Sequence, residues 1–210
     1  MKMYDKPVAL EKYLNQELEC DCGRTHYVPI KAVAIGPGAL NKLPDYVEQF
    51  GYKRPYIICD EITYRVAAQR CEELLEARGI KVVTKKLQHM GFDEATLGEI
   101  VIGMPVDCDL MIGVGTGSIT DMLRYSSYKL RLPCFTIATG APMDGFAASI
   151  GIMNVNNLKR GIFCMVFIIH ESDATLRETD RANHFAWFAI AINFKRKQSF
   201  QTEDRSFQPL

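Results

Sequence analysis

The sequence predicts an α/β domain in which a parallel sheet is flanked by helices, and three observations predict it. Short apolar runs alternate with amphipathic stretches, the pattern of successive βαβ units. Several of those runs end in an acid or a glycine turn: Arg54–Cys59 in Asp60, Asp109–Ile112 in Gly113-Val114-Gly115-Thr116-Gly117, and Pro133–Ala138 in Thr139-Gly140. Parallel sheets bind ligands beyond the carboxyl ends of their strands, so these three ends describe one crevice. Finally, 210 residues with 48% hydrophobic content suffice for a sizeable core.

Taken in order, Val8–Leu18 is expected to form a short helix. Cys20-Asp21-Cys22 with His26 suggests zinc, but a structural site needs a fourth ligand and none lies near, so the segment reads as a turn before a strand at Thr25–Ile30. A strand at Lys31–Ile35 ends at Gly36-Pro37-Gly38. The helix Ala39–Phe50 follows, with Leu40, Leu43, Val47 and Phe50 at helical spacing and Gly51 as its stop. After the strand Arg54–Cys59 comes a helix at Glu61–Arg78, stopped by Gly79, then a strand at Val82–Val83 and a helix at Leu97–Gly103. The strand Asp109–Ile112 leads through the glycine turn into a helix over Met122–Lys129, with Leu123 and Tyr128 toward the core. Phe163–Ile169 is expected to add an edge strand, Phe185–Ile192 an apolar patch over the crevice, and Lys195–Leu210 a frayed polar tail.

Composition narrows the function. A formal net charge of zero offers no basic footprint for nucleic acid. The seven cysteines, mostly within apolar runs, suit reduced thiols better than a disulfide framework. Lys2, Asp5, Lys6 and Glu11 interrupt any signal-peptide core, and the apolar runs fall short of a bilayer span. The expectation is a cytoplasmic protein without a membrane span.

The glycine turn has the make-up of a phosphate cradle. Glycines permit close approach and positive φ, and the first-turn N–H groups of the next helix face an anion. Ser118 and Thr120 add hydroxyls, while Asp121 is suited to cap the turn or to bind a hydroxyl. The spacing is G-x-G-x-G with no Gly-Lys-Ser/Thr following, which excludes a P-loop. Asp60 is placed to accept both ribose hydroxyls of an adenosine, which favours NAD over NADP, or to cap its helix. Asp144, in a Pro-Met-Asp-Gly turn, is better placed to meet a polar substrate.

Together, Gly113–Asp121, Arg124-Tyr125, Tyr128-Lys129, Pro133 and Ala141-Pro142-Met143-Asp144-Gly145-Phe146-Ala147 resemble the sn-glycerol-1-phosphate dehydrogenases. These are a branch of the superfamily of iron-type alcohol dehydrogenases, glycerol dehydrogenases and dehydroquinate synthases. Cys20–His26, Asp60–Tyr64 and Leu87-Gln88-His89 fit the same branch. The resemblance spans roughly residues 18 to 160. It implies a Rossmann-like domain and NAD(P)-dependent interconversion of dihydroxyacetone phosphate and sn-glycerol 1-phosphate, a phosphorylated polyol. Apolar surface exposed where a second domain would pack predicts self-association, so a homo-oligomer is an expected partner. By the same resemblance Asp60 holds the adenosine ribose, and Gly115, Gly117, Ser118, Ile119, Thr120 and Asp121 wrap the pyrophosphate. Thr139, Gly140, Ala141 and Pro142 line the other side of the cofactor, and Asp144 contacts substrate. Two positions depart from the family's usual residues: Ala148 stands for a serine, and Gly140 for an alanine.

The family also implies a divalent metal (Zn, Ni or Fe) held by an Asp and two His of a helical second domain. The expected division is a dinucleotide-binding domain over residues 1–160 and an unmatched segment over 161–210, with that second domain missing. His170, Asp173, Asp180 and His184 do not reproduce the family's ligand spacing. On this reading the chain is a truncated dehydrogenase, weak or inactive by itself. The alternatives are a glycerol dehydrogenase, a dehydroquinate synthase-like enzyme, or a non-catalytic nucleotide-binding remnant.

Overall fold

The computed structural model describes residues 13–19, 23, 25–27, 30–35, 37–89, 91–140, 148, 150–164 and 168–172. Residues 8–12 of the expected first helix, Cys20, Cys22, Ala141, Pro142, Asp144, the apolar patch Phe185–Ile192 and the polar tail lie outside the described residues.

Six parallel strands form the main sheet, in the order β3-β10-β7-β6-β4-β5. They are β3 (Ile30–Ile35), β4 (Pro55–Cys59), β5 (Val83–Lys86), β6 (Leu110–Gly115), β7 (Cys134–Ala138) and β10 (Ile168–Ser172). The central strands β4, β6 and β7 are buried along their whole length, as expected of a parallel sheet covered on both faces. Alternate residues of each strand feed opposite sides. Tyr56, Ile58 and Met111 pack with Ile100, Ile119, Met122 and Leu123 from α4 (Glu94–Gly103) and α5 (Gly117–Leu130). Ile57, Cys59, Ile112 and Phe135 pack with Leu43, Val47, Cys71 and Leu75 from α1 (Leu43–Gln49) and α3 (Gln69–Glu76). A short α2 (Glu61–Thr63) runs through a wide π turn at Tyr64–Ala68 into α3. The helix stops at Gly51 and Gly79 have φ of 78° and 72°, which a side chain would strain.

Several expectations change. Glu17–Glu19 (β1) is a strand, not the end of a helix, and pairs antiparallel with Thr25–Tyr27 (β2). Tyr128 is exposed, whereas Leu123 is fully buried; the core face of α5 runs through Ile119, Met122, Leu123 and Ser126. Ile168–Ser172 is not an edge strand: it lies between β3 and β7 and pairs parallel with both. An unanticipated hairpin, β8 (Ile150–Val155) with β9 (Leu158–Phe163), turns at Asn156-Asn157. Both asparagines have positive φ, 51° and 61°, the conformation of a tight hairpin turn that matches strand twist. The expected boundary after residue 160 therefore falls inside β9.

Candidate functional site

The register places the three polar strand ends side by side. Ile58 pairs with Gly113 and Gly115 with Ala138, so Asp60, the glycine turn and Thr139-Gly140 follow the carboxyl ends of three adjacent strands. With strands about 4.8 Å apart, this edge is about 10 Å across, the scale of a ribose with its diphosphate. The Thr139 N–H donates to the Gly115 carbonyl at 3.1 Å, tying the β7 end to the turn.

The glycines act differently from the expectation. The left-handed glycines among the described residues are Gly23, Gly38, Gly51 and Gly79, none of them in the turn. Instead, a Cβ on Gly115 would lie 2.5 Å from Ile119 Cγ1, and one on Gly113 would lie 2.7 Å from Leu123 Cδ2. Gly113 and Gly115 thus let α5 sit directly on β6. Gly117 and Ser118 are the first residues of α5, half-buried behind Thr116. Thr116 makes no side-chain cap, and the first turn carries no acid. A helix start of this kind leaves amide donors and a positive dipole end for an anion. Ile119 and Thr120 are buried, and the Thr120 hydroxyl has no hydrogen-bond partner.

Asp60 caps its helix: the Thr63 N–H donates to its Oδ1 at 2.7 Å, and its own N–H donates to Thr63 Oγ1 at 3.0 Å. That reciprocal box fixes the carboxylate and leaves Oδ2 for a ligand hydroxyl. These residues fit a dinucleotide: an acid for the ribose and, at the next strand end, an uncapped helix start for the diphosphate.

Asp121 is already committed. Its Oδ1 accepts from Arg124 Nη1 at 3.0 Å, and the same nitrogen donates to the Ile150 carbonyl at 3.0 Å. The Arg124 side chain is 1% exposed and that of Asp121 15%. Burial pushes the Asp121 carboxyl up, opposed by Arg124 and by the Ile152 N–H; burial also lowers Arg124. Asn154 N–H bonds the Phe92 carbonyl, and Asn156 N–H donates to Glu94 at 2.9 Å. The outer edge of β8 is thus met by α5 and the Phe92 carbonyl, which protects a strand that would otherwise expose its ladder, while Glu94 of α4 holds the turn that follows.

Beside Asp60, the loop after β5 is pinned by Glu99, whose two carboxylate oxygens accept the Gln88 and His89 N–H groups at 3.0 Å each. These groups, with Lys85, hold its carboxyl below the usual range. Among the described residues, no three His, Cys, Asp or Glu side chains come together as a metal site. No helix among them is long and apolar enough to cross a membrane. The five described cysteines are buried and form no disulfide with one another; burial raises the Cys59 thiol to about 12 and Cys134 to about 11.

The family model for iron-containing alcohol dehydrogenases matches residues 34–167. The chain belongs to that family. A glycerol-1-phosphate dehydrogenase [NAD(P)+] of Halalkalibacterium halodurans is 37% identical over 136 residues, 62% of this chain and 34% of that protein. One from Geobacillus stearothermophilus is 29% identical over 160 residues, 73% of this chain and 40% of that protein. This family member therefore spans well under half the length of these curated relatives. Glycerol dehydrogenase from Schizosaccharomyces pombe has the same fold (TM-score 0.64, 19% identity), covering 70% of this chain and 38% of that one. An iron-containing alcohol dehydrogenase from Thermotoga maritima agrees at a TM-score of 0.62 and 19% identity, covering 71% and 47%.

Proposed function

We propose that this chain forms the nucleotide-binding part of an NAD(P)-dependent sn-glycerol-1-phosphate dehydrogenase, acting between dihydroxyacetone phosphate and sn-glycerol 1-phosphate. The relatives' names support the substrate class. One observation in the chain itself carries the nucleotide reading: the uncapped, acid-free start of α5, one strand over from the carboxylate of Asp60. The α5 amides at Gly117, Ser118 and Ile119 would hold the diphosphate, with Thr139 and Gly140 alongside, and Asp60 Oδ2 would accept a ribose hydroxyl. For Ala141 and Pro142 the proposed role remains cofactor binding, and for Asp144 substrate binding, as the family resemblance implies. Asp121 would act at one remove, holding the β8–β9 hairpin against α5. A nicotinamide cofactor held there would supply or take up the hydride, and the residues of this chain would position it.

Titration of the full chain with NADH by calorimetry tests the reading without requiring turnover. Saturable binding is expected, with Asp60→Ala weakening it about tenfold or more, since a hydrogen bond to a charged group is lost. Absence of binding at millimolar NADH would refute it.

A further inference from the structure

The ribose end of the crevice carries a charge arrangement that NAD does not use. Lys86 ends β5 opposite Cys59, the residue before Asp60, and the next N–H, that of Leu87, donates to the Cys59 carbonyl at 2.8 Å. Lys86 Nζ lies 3.6 Å from Glu61 Oε2 and 3.4 Å from the centroid of the Tyr64 ring. The Tyr64 hydroxyl is anchored on Glu72 at 2.8 Å. On the other side, Arg65 Nη2 lies 2.9 Å from Glu61 Oε1. One carboxylate is therefore suspended between two cations, one oxygen on each, directly after the residue that faces the ribose. Lys85 is not part of this group: it is paired with Glu99 at 3.1 Å.

We propose that Lys86, with Arg65, is the specificity determinant of the ribose end, receiving the 2′-phosphate of NADP in the place Glu61 now fills. This rests on the nucleotide reading of Asp60. A phosphate monoester carries up to two charges and three acceptor oxygens against one charge on Glu61, so it exchanges with the carboxylate without needing a new cation. The Glu61 side chain is 59% exposed, so water can replace its two cations when it swings aside. The ring beneath Lys86 keeps the ammonium in place by cation–π attraction while the exchange occurs. Asp60 opposes the added charge, so NADPH is expected to bind more weakly than NADH, and increasingly so as salt screens the two cations.

Calorimetric titration of the full chain with NADH and with NADPH, in wild type and variants, decides the matter. Lys86→Gln is expected to weaken NADPH about tenfold and leave NADH within about twofold. Lys86→Arg should retain NADPH binding, and Glu61→Gln should tighten NADPH severalfold. An unchanged melting temperature in each variant separates lost affinity from lost fold. If Lys86→Gln alters both ligands equally or neither, or if wild type binds NADH but not NADPH, the role of Lys86 is overturned while the nucleotide site stands. Binding of neither ligand by wild type overturns both.

Discussion

At the scale of single residues, Asp60 has one observed duty and one proposed, and substitution separates them. One oxygen caps α2, and the other is proposed for the ribose. Asparagine caps a helix about as well as aspartate, whereas alanine costs about 1 kcal/mol. Asp60→Asn is therefore expected to keep wild-type thermal stability and lose part of the NADH affinity, while Asp60→Ala loses both. Equal affinity in wild type and both variants would leave Asp60 with its cap alone. Arg124 gives a second residue-scale prediction. Removing one partner of a buried pair strands the other charge, at roughly 3–5 kcal/mol. Arg124→Met should shift the urea midpoint accordingly, with Arg124→Lys recovering part of the loss. Asp60 was legible in the sequence because an acid at the end of an apolar run falls at a sheet edge whatever the packing. The duty of Asp121 was not. Its neighbour Arg124 reaches a carbonyl 26 residues along, on a hairpin that the sequence reading did not anticipate, although Asn156-Asn157 was a readable turn signal.

Among the elements, α5 is the one proposed to hold the diphosphate, and its seat on β6 is set by two glycines. Gly115→Ala would bring a methyl within 2.5 Å of Ile119 Cγ1 and 2.7 Å of its Cβ, and the Cβ moves only with the helix. Gly113→Ala meets chiefly the far end of Leu123, at 2.7 Å, which can turn aside. Overpacking costs about 1–3 kcal/mol, so Gly115→Ala is expected at the upper end, with weakened NADH binding as the helix start shifts, and Gly113→Ala at the lower. Thermal melts and NADH titrations of the two variants check the order. The motif was visible as three spaced glycines, but the reason for two of them was not: spacing cannot distinguish a glycine kept for a phosphate from one kept for a neighbouring side chain. The loop after β5 adds a pH signature. Glu99 is held below its ordinary value of 4.5, first by the Gln88 N–H and then by Lys85 and the His89 N–H. A depressed carboxylate stabilises the fold above its unfolded value and loses that contribution as pH falls through the lower folded one. Melting temperature should therefore drop below about pH 4.5 less steeply in Glu99→Gln than in wild type.

For the whole molecule, the decisive feature is that β10, the last of the described strands, completes the sheet. Among the described strands, β3 pairs only with β10, and β10 in turn joins it to β7. The alternating helices and strands made the parallel sheet legible from Arg54 to Ala138, where each strand neighbours a segment close in the chain. The place of β10 was hidden, because a short apolar run carries no mark of which gap in a sheet it fills. Its partner β3 lies more than 130 residues earlier, at Ile30–Ile35, yet contributes buried Ile30 and Ala34 to the core. A chain ending at Cys164 therefore loses both ladders of β10, strands β3 from the sheet and opens the flank of β7. A chain ending at Ser172 keeps every described element. For a domain of this size each kcal/mol shifts the melting temperature by roughly 2–4 °C, so losing several kcal/mol should lower it by about 10 °C or broaden the transition. The chain ending at Ser172 should melt cooperatively near the full-length value, and calorimetric scans of the three side by side test this. Equal melting of the two shortened chains would mean that β10 adds nothing, and that the domain ends with the hairpin.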